Sequence, residues 1–110
     1  MNTLNIQHLP TFSMDVEINT RAIQGVVEVQ FVAKRTSELK DIEQRVQSDG
    51  TGVAGFLKAV VVQVGQAQLP DGPLASDAPT AIDQLTDWPG IGVAIQKAYY
   101  RGLWEEQAKN

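Results

Sequence analysis

Side chains that could hold a metal ion or activate a nucleophile are scarce in this chain. His8 is the only histidine among the 110 residues, and there is no cysteine. A zinc site or a histidine-activated nucleophile needs several such groups close together, and His8 has no carboxylate or cysteine at ligand spacing. We therefore interpret His8 as a partly exposed strand residue and expect no bound metal.

Paired carboxylates are the next candidates, because two of them can divide the work of a general acid and a general base. The sequence contains three close pairs: Asp41/Glu43, Asp83/Asp87 and Glu105/Glu106. None of the pairs adjoins a stretch that indicates a cleft. We expect them to lie on solvated helix surfaces, where acidic residues are usually found.

Two glycine-containing stretches resemble ligand loops. In Gly90-Ile-Gly92 the third glycine of a dinucleotide fingerprint would fall at position 95, which is Ile95, and no βαβ unit precedes it. Asp49-Gly-Thr-Gly52 lacks the lysine of a phosphate loop and the alternating oxygen ligands of a calcium loop. The sequence therefore predicts no cofactor and no enzymatic activity.

The composition is that of one ordinary globular domain. Hydrophobic residues make up 43% and charged residues 20% of the chain, and the length suits a single domain over residues 1–110. No apolar run approaches the roughly 20 residues that span a bilayer, and the N-terminal sequence lacks signal-peptide features. We expect no membrane association and a cytosolic location.

The net charge makes nucleic acid a poor partner. The formal net charge is −4, with acidic and basic residues well mixed along the sequence. Binding to DNA or RNA is driven largely by cationic side chains that displace counterions from phosphates. We therefore expect no direct contact with nucleic acid.

The N-terminal part has the two-residue periodicity of strands. Apolar and polar residues alternate over Phe12–Ile18 and again over Val26–Ala33. The connection Asn19–Gly25 contains turn residues, so the two stretches predict an antiparallel hairpin. A further short strand over Leu4–His8 is possible, ended by Pro10.

The periodicity then becomes helical. Residues 37–47 predict a surface helix, with Thr36 as its N-cap, and Ser48–Gly52 contains the turn residues that end it. A second helix is predicted from Val53 to about residue 63. The alternative for its last part is a strand over Val60–Val64, because β-branched residues favour sheets.

The remaining sequence predicts a loop and two helices. Gln66–Pro79 is rich in proline and indicates a loop. A short helix follows, capped by Ser76 or Asp77, and must end near Trp88 because Pro89 disfavours helical geometry before it. After a corner at Pro89–Gly92 the last helix begins. The predicted fold is therefore α+β, with a β-hairpin or meander over 1–34 and about four helices over 36–110.

The last helix has two apolar faces. One face carries most of its apolar residues: Ile91, Ile95, Ala98, Tyr99, Gly102 and Leu103. Val93, Lys97, Tyr100 and Trp104 form the second face. We assign Tyr99 to the core, against Phe56 and Leu57. Tyr100 and Trp104 either cover the edge of that contact or take part in self-association or partner binding, since Tyr and Trp are enriched at interface hot spots. The candidate protein-binding residues are therefore Tyr100, Trp104, Val93 and Lys97.

The order of these features resembles the tail assembly chaperones of long-tailed bacteriophages. After the hairpin, the resemblance rests on short stretches in order and spacing from about residue 28 onward: Arg35–Leu39, Asp49, Phe56–Val61, Asp71-Gly72, Ile82, Leu85, Pro89, Ala98-Tyr99 and Lys109-Asn110. Members of that family often carry a tryptophan shortly after the second helix, where this chain has Val64-Gly65-Gln66.

The resemblance implies a non-enzymatic protein of the bacterial cytoplasm. Such proteins bind the tape measure protein, keep its hydrophobic helical segments soluble as oligomers, and are absent from the mature virion. It also implies a longer product, made by a programmed frameshift near the end of the gene, whose extension recruits the major tail protein. The alternatives are a structural tail completion or adaptor protein of the virion and a small protein-binding module unrelated to phage.

The last three residues suggest where a frameshift could occur. Ala108-Lys109-Asn110 can be encoded by a sequence containing A-AAA-AAC or A-AAA-AAT. Runs of this type allow ribosomes to slip by one base. We expect such a run in the gene, and codons that contain none would argue against a frameshift.

Overall fold

A computed structural model describes residues 6, 8 and 10–104, and its elements confirm the α+β class. In chain order they are β1 (Thr11–Asn19), β2 (Gln24–Val32), α1 (Thr36–Asp49), α2 (Gly52–Val60), β3 (Val61–Val64), β4 (Gln68–Leu69), β5 (Gly72–Pro73), α3 (Ala78–Thr86) and α4 (Ile91–Trp104). An antiparallel sheet of order β1-β2-β3 forms one layer. The third strand of this sheet follows α2 and is not part of the N-terminal segment.

The β1–β2 hairpin confirms the predicted alternation. The strands pair antiparallel along their full length, with Val16 opposite Val27. Their inner face supplies five buried side chains to the core: Val16, Ile18, Val27, Val29 and Phe31. The turn is tighter than predicted, since Thr20 Oγ1 accepts hydrogen bonds from the backbone N–H of Ala22 and Ile23 at 3.3 and 3.0 Å. Gly25 therefore belongs to β2.

Helix α1 begins one residue earlier than predicted. The N-cap is Arg35, so Thr36 is the first helical residue and not the cap. The backbone N–H of Arg35 donates to Glu38 Oε1 at 3.0 Å, which holds the pKa of that carboxyl below its usual value. Gly50, with φ of 78°, ends the helix in the left-handed conformation that glycine adopts without strain.

The prediction of a helix to about residue 63 is wrong. Helix α2 ends at Val60, and Val61 turns to extended backbone with φ −90° and ψ 126°. Strand β3 then pairs antiparallel with β2, with Val64 opposite Val29, and Val62 sits at the irregularity in the register. The open edge of β2 needs backbone hydrogen-bond partners, and a run of β-branched residues supplies a strand there.

The proline-rich segment contains a small hairpin. Two-residue strands β4 and β5 flank the predicted turn at Pro70-Asp-Gly-Pro73, and buried Leu69 anchors it to the core. Gln84 of α3 holds the segment: its Oε1 accepts from the backbone N–H of Ala75 at 2.7 Å, and its Nε2 donates to the Pro73 carbonyl at 3.3 Å.

Helix α3 and the corner after it agree closely with the prediction from the sequence. Asp77 is the N-cap, and its Oδ2 accepts from the backbone N–H of Thr80 at 3.0 Å. The helix ends at Thr86, before Trp88, as predicted. Gly90, with φ of 89°, then allows the chain to turn, and α4 begins at Ile91, so the last two residues of the predicted corner belong to the helix.

The core lies between the sheet and the helices, and Tyr99 of α4 is at its centre. The Tyr99 ring lies within 5.8 Å, centroid to centroid, of four other aromatic rings: Phe12, Phe31, Phe56 and Tyr100. Helix α4 packs on β1, while α2 packs on α1, α3 and α4. The opposite face of the sheet carries exposed polar residues, among them Asp15, Glu17 and Glu28.

Two predictions about the ends of the chain cannot be compared with this fold. The possible strand Leu4–His8 lies largely outside the described residues, and Glu105/Glu106 and Ala108–Asn110 lie wholly outside them. Among the helices that are described, none is both long enough and apolar enough to cross a bilayer.

Candidate protein-binding groove

The four predicted protein-binding residues lie together in one concave surface. Val93, Lys97, Tyr100 and Trp104 line a groove of about 490 Å³ between α4 and α1. The other lining residues are Thr36, Leu39, Lys40, Glu43 and Gln96. We call this surface the α1/α4 groove.

The lining residues of each wall lie on one face of a helix because of their spacing in the sequence. On α4, positions 93, 97, 100 and 104 repeat at intervals of four, three and four residues, which aligns them along one face. On α1, Thr36, Lys40 and Glu43 repeat in the same way. Helix α2 packs on both α1 and α4 and so holds the two walls apart over a common base.

The groove exposes apolar surface that the fold does not cover. Trp104 is 76% exposed and Val93 is 45% exposed, and both belong to the few large apolar side chains that lie open to solvent in the described part of the chain. Tyr100 is half-buried, and Leu39 lies beneath as part of the core. The two exposed side chains therefore stand over a floor that is already packed.

A continuous row of aromatic rings connects this surface with the core. The Tyr100 ring stacks on buried Phe56 at 5.7 Å, and the Trp104 indole lies 5.1 Å from Tyr100. Contacts of this kind contribute about 0.5–1.5 kcal/mol beyond the area they bury. The exposed indole is thus connected to the buried aromatic rings through Tyr100.

A hydrogen bond joins the two walls. The Tyr100 hydroxyl of α4 donates to Glu43 Oε1 of α1. Burial of the phenol, and after it this hydrogen bond to the carboxylate, raises the pKa of Tyr100 well above its usual value. Tyr100 therefore stays protonated at neutral pH and remains a donor.

Tyr99 has a separate, structural role. Its side chain is completely buried, which confirms the assignment to the core. The hydroxyl donates to the Val32 carbonyl at 3.0 Å and accepts from the backbone N–H of Lys34 at 3.2 Å, just beyond the end of β2. Burial raises the pKa of this phenol too. Tyr99 thus fastens α4 to the sheet.

Each wall of the groove carries one lysine, and the α1 wall also carries a glutamate. Lys40 on α1 and Lys97 on α4 are exposed, and the ion pair found among the described residues lies elsewhere, between Lys58 Nζ and Asp83 Oδ1 at 2.7 Å. Glu43, the one carboxylate among the lining residues, accepts the Tyr100 hydrogen bond.

The other chemical candidates lie outside the lining of the groove. His8 is exposed, with its Nε2 3.2 Å from the Ala33 carbonyl oxygen. Asp83 and Asp87 are exposed on and just after α3, and Asp41 is exposed on α1. In the part of the chain that the structure describes, no three His, Cys, Asp or Glu side chains are grouped so that they could hold a metal ion.

The glycines of Gly90-Ile-Gly92 have packing roles. Gly90 makes the corner, and Gly92 lies where α4 passes close to α2 and α3. A Cβ added at Gly92 would come within 3.1 Å of Val53 Cγ1 and 3.2 Å of Thr86 Cγ2.

Sequence reasoning missed the α1 wall, because nothing in the α1 sequence shows which helix faces α4. It also missed a second groove, of about 580 Å³, between the β1–β2 turn and the β4–β5 hairpin. Its lining has no charged residue: Ile18, Ala22, Ile23, Gln24, Gly25, Val26, Val27, Ala67, Gln68, Leu69, Pro70 and Leu85. The exposed Val26 was the available signal.

Comparison of the chain with models of protein families, with curated proteins and with solved structures finds no match.

Proposed function

We propose that the α1/α4 groove binds an apolar helical segment of another protein, and that the chain is a phage tail assembly chaperone whose partner is the tape measure protein. The observation that carries the binding proposal is the position of Trp104 and Val93, which are exposed at the two ends of the α4 wall with half-buried Tyr100 between them. A groove between two helices, with aromatic and aliphatic anchors, suits an amphipathic helix laid along it.

The length of the α4 wall agrees with this use. Trp104 at the C-terminal end of the α4 wall and Val93 near its beginning are 11 residues apart. At about 1.5 Å per residue they provide anchors over roughly three turns of helix.

The tape measure assignment comes from the sequence resemblance and specifies the biological setting. In this proposal the protein acts in the bacterial cytoplasm, carries out no catalysis, and shields hydrophobic tape measure helices until the tail is built. It forms homo-oligomers along the tape measure, a frameshifted longer product recruits the major tail protein, and neither product remains in the virion.

Co-expression tests the proposal directly. The tape measure protein encoded in the same tail gene cluster should stay in the soluble fraction when produced together with this chain, and should precipitate without it. With Trp104→Ala the chain itself should remain folded, because the indole is mostly exposed, while the soluble tape measure protein decreases.

An insoluble tape measure protein in the presence of folded wild-type chain would refute the chaperone function. Mass spectrometry of purified virions distinguishes the structural alternative, since a tail completion or adaptor protein must be present in stoichiometric amount. The proposal requires that the chain be absent from those particles.

A further inference from the structure

We infer that the segment bound in the α1/α4 groove is an amphipathic helix whose apolar stripe is flanked on both sides by carboxylates. This inference rests on the proposed binding of a helix to the groove and specifies the chemistry of that helix.

The positions of the lysines carry the inference. Lys40 lies on the α1 wall and Lys97 on the α4 wall, and both line the groove together with its apolar floor. A helix that presents its apolar stripe to Tyr100 and Val93 turns its two flanks toward these walls. Each flank then meets one ammonium group.

The acidic side chain in the groove leaves the lining with more positive than negative charge. The lining residues include two lysines, Lys40 and Lys97, and one glutamate, Glu43. Glu43 also accepts a hydrogen bond from the Tyr100 hydroxyl, so part of its acceptor capacity is used within the fold. A partner lysine at this wall would meet Lys40 as well as Glu43. A partner carboxylate can approach Lys40 without displacing the Tyr100 hydrogen bond.

The negative charge elsewhere on the molecule helps to direct an acidic partner to the groove. The net charge is −4, and the outer sheet face presents Asp15, Glu17 and Glu28. An acidic partner is therefore repelled by the net charge of the molecule and by the outer sheet face, and is attracted at the groove, where the two lysines lie. Charge complementarity of this kind chiefly sets specificity and register, while the apolar contacts supply affinity.

An anionic lipid surface shares some of this chemistry, because lysine and tryptophan side chains also occur at membrane interfaces. The concave shape favours the helix. Tyr100 and Leu39 lie at the base between two helical walls, where a flat bilayer would reach the exposed side chains of the rim but not this base.

Two synthetic helical peptides test the inference. Both have the same apolar stripe, which is flanked by glutamates in one peptide and by lysines in the other. The reporter is the fluorescence of Trp104 in a Trp88→Phe variant of the full chain, in which the partly buried second tryptophan is removed. At low salt the glutamate peptide should bind roughly tenfold more tightly than the lysine peptide. The difference should shrink in about 1 M salt, where the Debye length is about 3 Å.

Charge reversal provides the decisive comparison. In Lys40→Glu/Lys97→Glu the order of the two peptides should invert. The matched control Arg21→Glu/Arg45→Glu changes the net charge equally at exposed positions outside the groove lining and should keep the original order.

The possible failures are distinguishable. Equal binding of both peptides, or an unchanged order after reversal at Lys40 and Lys97, overturns the inference and leaves helix binding intact. Binding of neither peptide overturns the proposed function of the groove as well. A Trp104 response to phosphatidylserine vesicles without a response to the peptides would assign the surface to lipid and overturn both.

Discussion

Two adjacent tyrosines show how neighbouring residues of one helix serve different purposes. Tyr99 is buried and fastens α4 to the end of β2 through Val32 and Lys34. Tyr100, about 100° further around the helix, faces the groove and is half-buried. The sequence predicted this division from spacing alone. The hydrogen-bond partners could not be predicted, since they lie 65 and 67 residues earlier in the chain.

Tyr99→Phe should lower the free energy of unfolding by about 1–3 kcal/mol, because it leaves a carbonyl and an N–H at the end of β2 without their partner. Ring packing is retained, so the native fold should persist. Urea denaturation followed by circular dichroism measures the loss. Wild-type stability would show that water replaces the hydroxyl at no cost.

Tyr100 should make stability depend on alkaline pH. Its pKa is raised in the folded state, while the unfolded chain loses the proton near pH 10, the ordinary value. The stability contributed by the protonated phenol is therefore complete below about pH 10 and is lost as the pH rises above it.

The variant Tyr100→Phe removes this contribution. Between about pH 9 and pH 12 its free energy of unfolding should decline less steeply than that of the wild type, as measured by urea denaturation at each pH. Tyr99, whose pKa is also raised, still causes part of the decline. Parallel curves for the two proteins would mean that Tyr100 ionises equally easily in both states.

At the scale of elements, the end of α2 shows what local pattern cannot decide. Val60, Val61 and Val64 are buried, and their spacing fits a helical stripe. In the strand, Val61 and Val64 reach the same face only because the register shifts at Val62. The strand forms because β2 offers an unpaired edge. That edge comes from residues about 30 positions earlier in the chain, which a local window does not include.

The close approach of α4 to β1 depends on Gly102. A Cβ there would lie 2.5 Å from Phe12 Cε2 and 3.0 Å from Met14 Sδ. Gly102→Ala should lower stability, because overpacking costs about 1–3 kcal/mol while the gain in helix propensity is at most about 1 kcal/mol. Thermal unfolding measures the net effect.

Gly25→Ala in β2 is the control for this variant. A Cβ at Gly25 would meet nothing within 4 Å, so the melting temperature should not fall. A stabilised Gly102→Ala protein would mean that α4 and β1 can separate without penalty.

At the scale of the whole molecule, the sheet and the helices present different surfaces. The outer sheet face is polar and carries several carboxylates, whereas the helical side bears the groove with its exposed Trp104 and Val93. Amphipathic periodicity was enough to predict the fold class, most elements and the α4 wall. The α1 wall and the uncharged second groove arise from tertiary packing between distant segments, so their members carry no common sequence signal.

The most direct test of the groove as a binding surface is the affinity of a soluble peptide, copied from an apolar helical segment of the tape measure protein, for two matched variants. Val93 and Val62 are 45% and 44% exposed, yet only Val93 lines the α1/α4 groove. Isothermal titration should show that Val93→Gln weakens binding by about 1 kcal/mol or more, since a polar group then faces the apolar partner. Val62→Gln should bind as the wild type does. Equal affinities for both variants, or a loss confined to Val26→Gln in the second groove, would contradict the account.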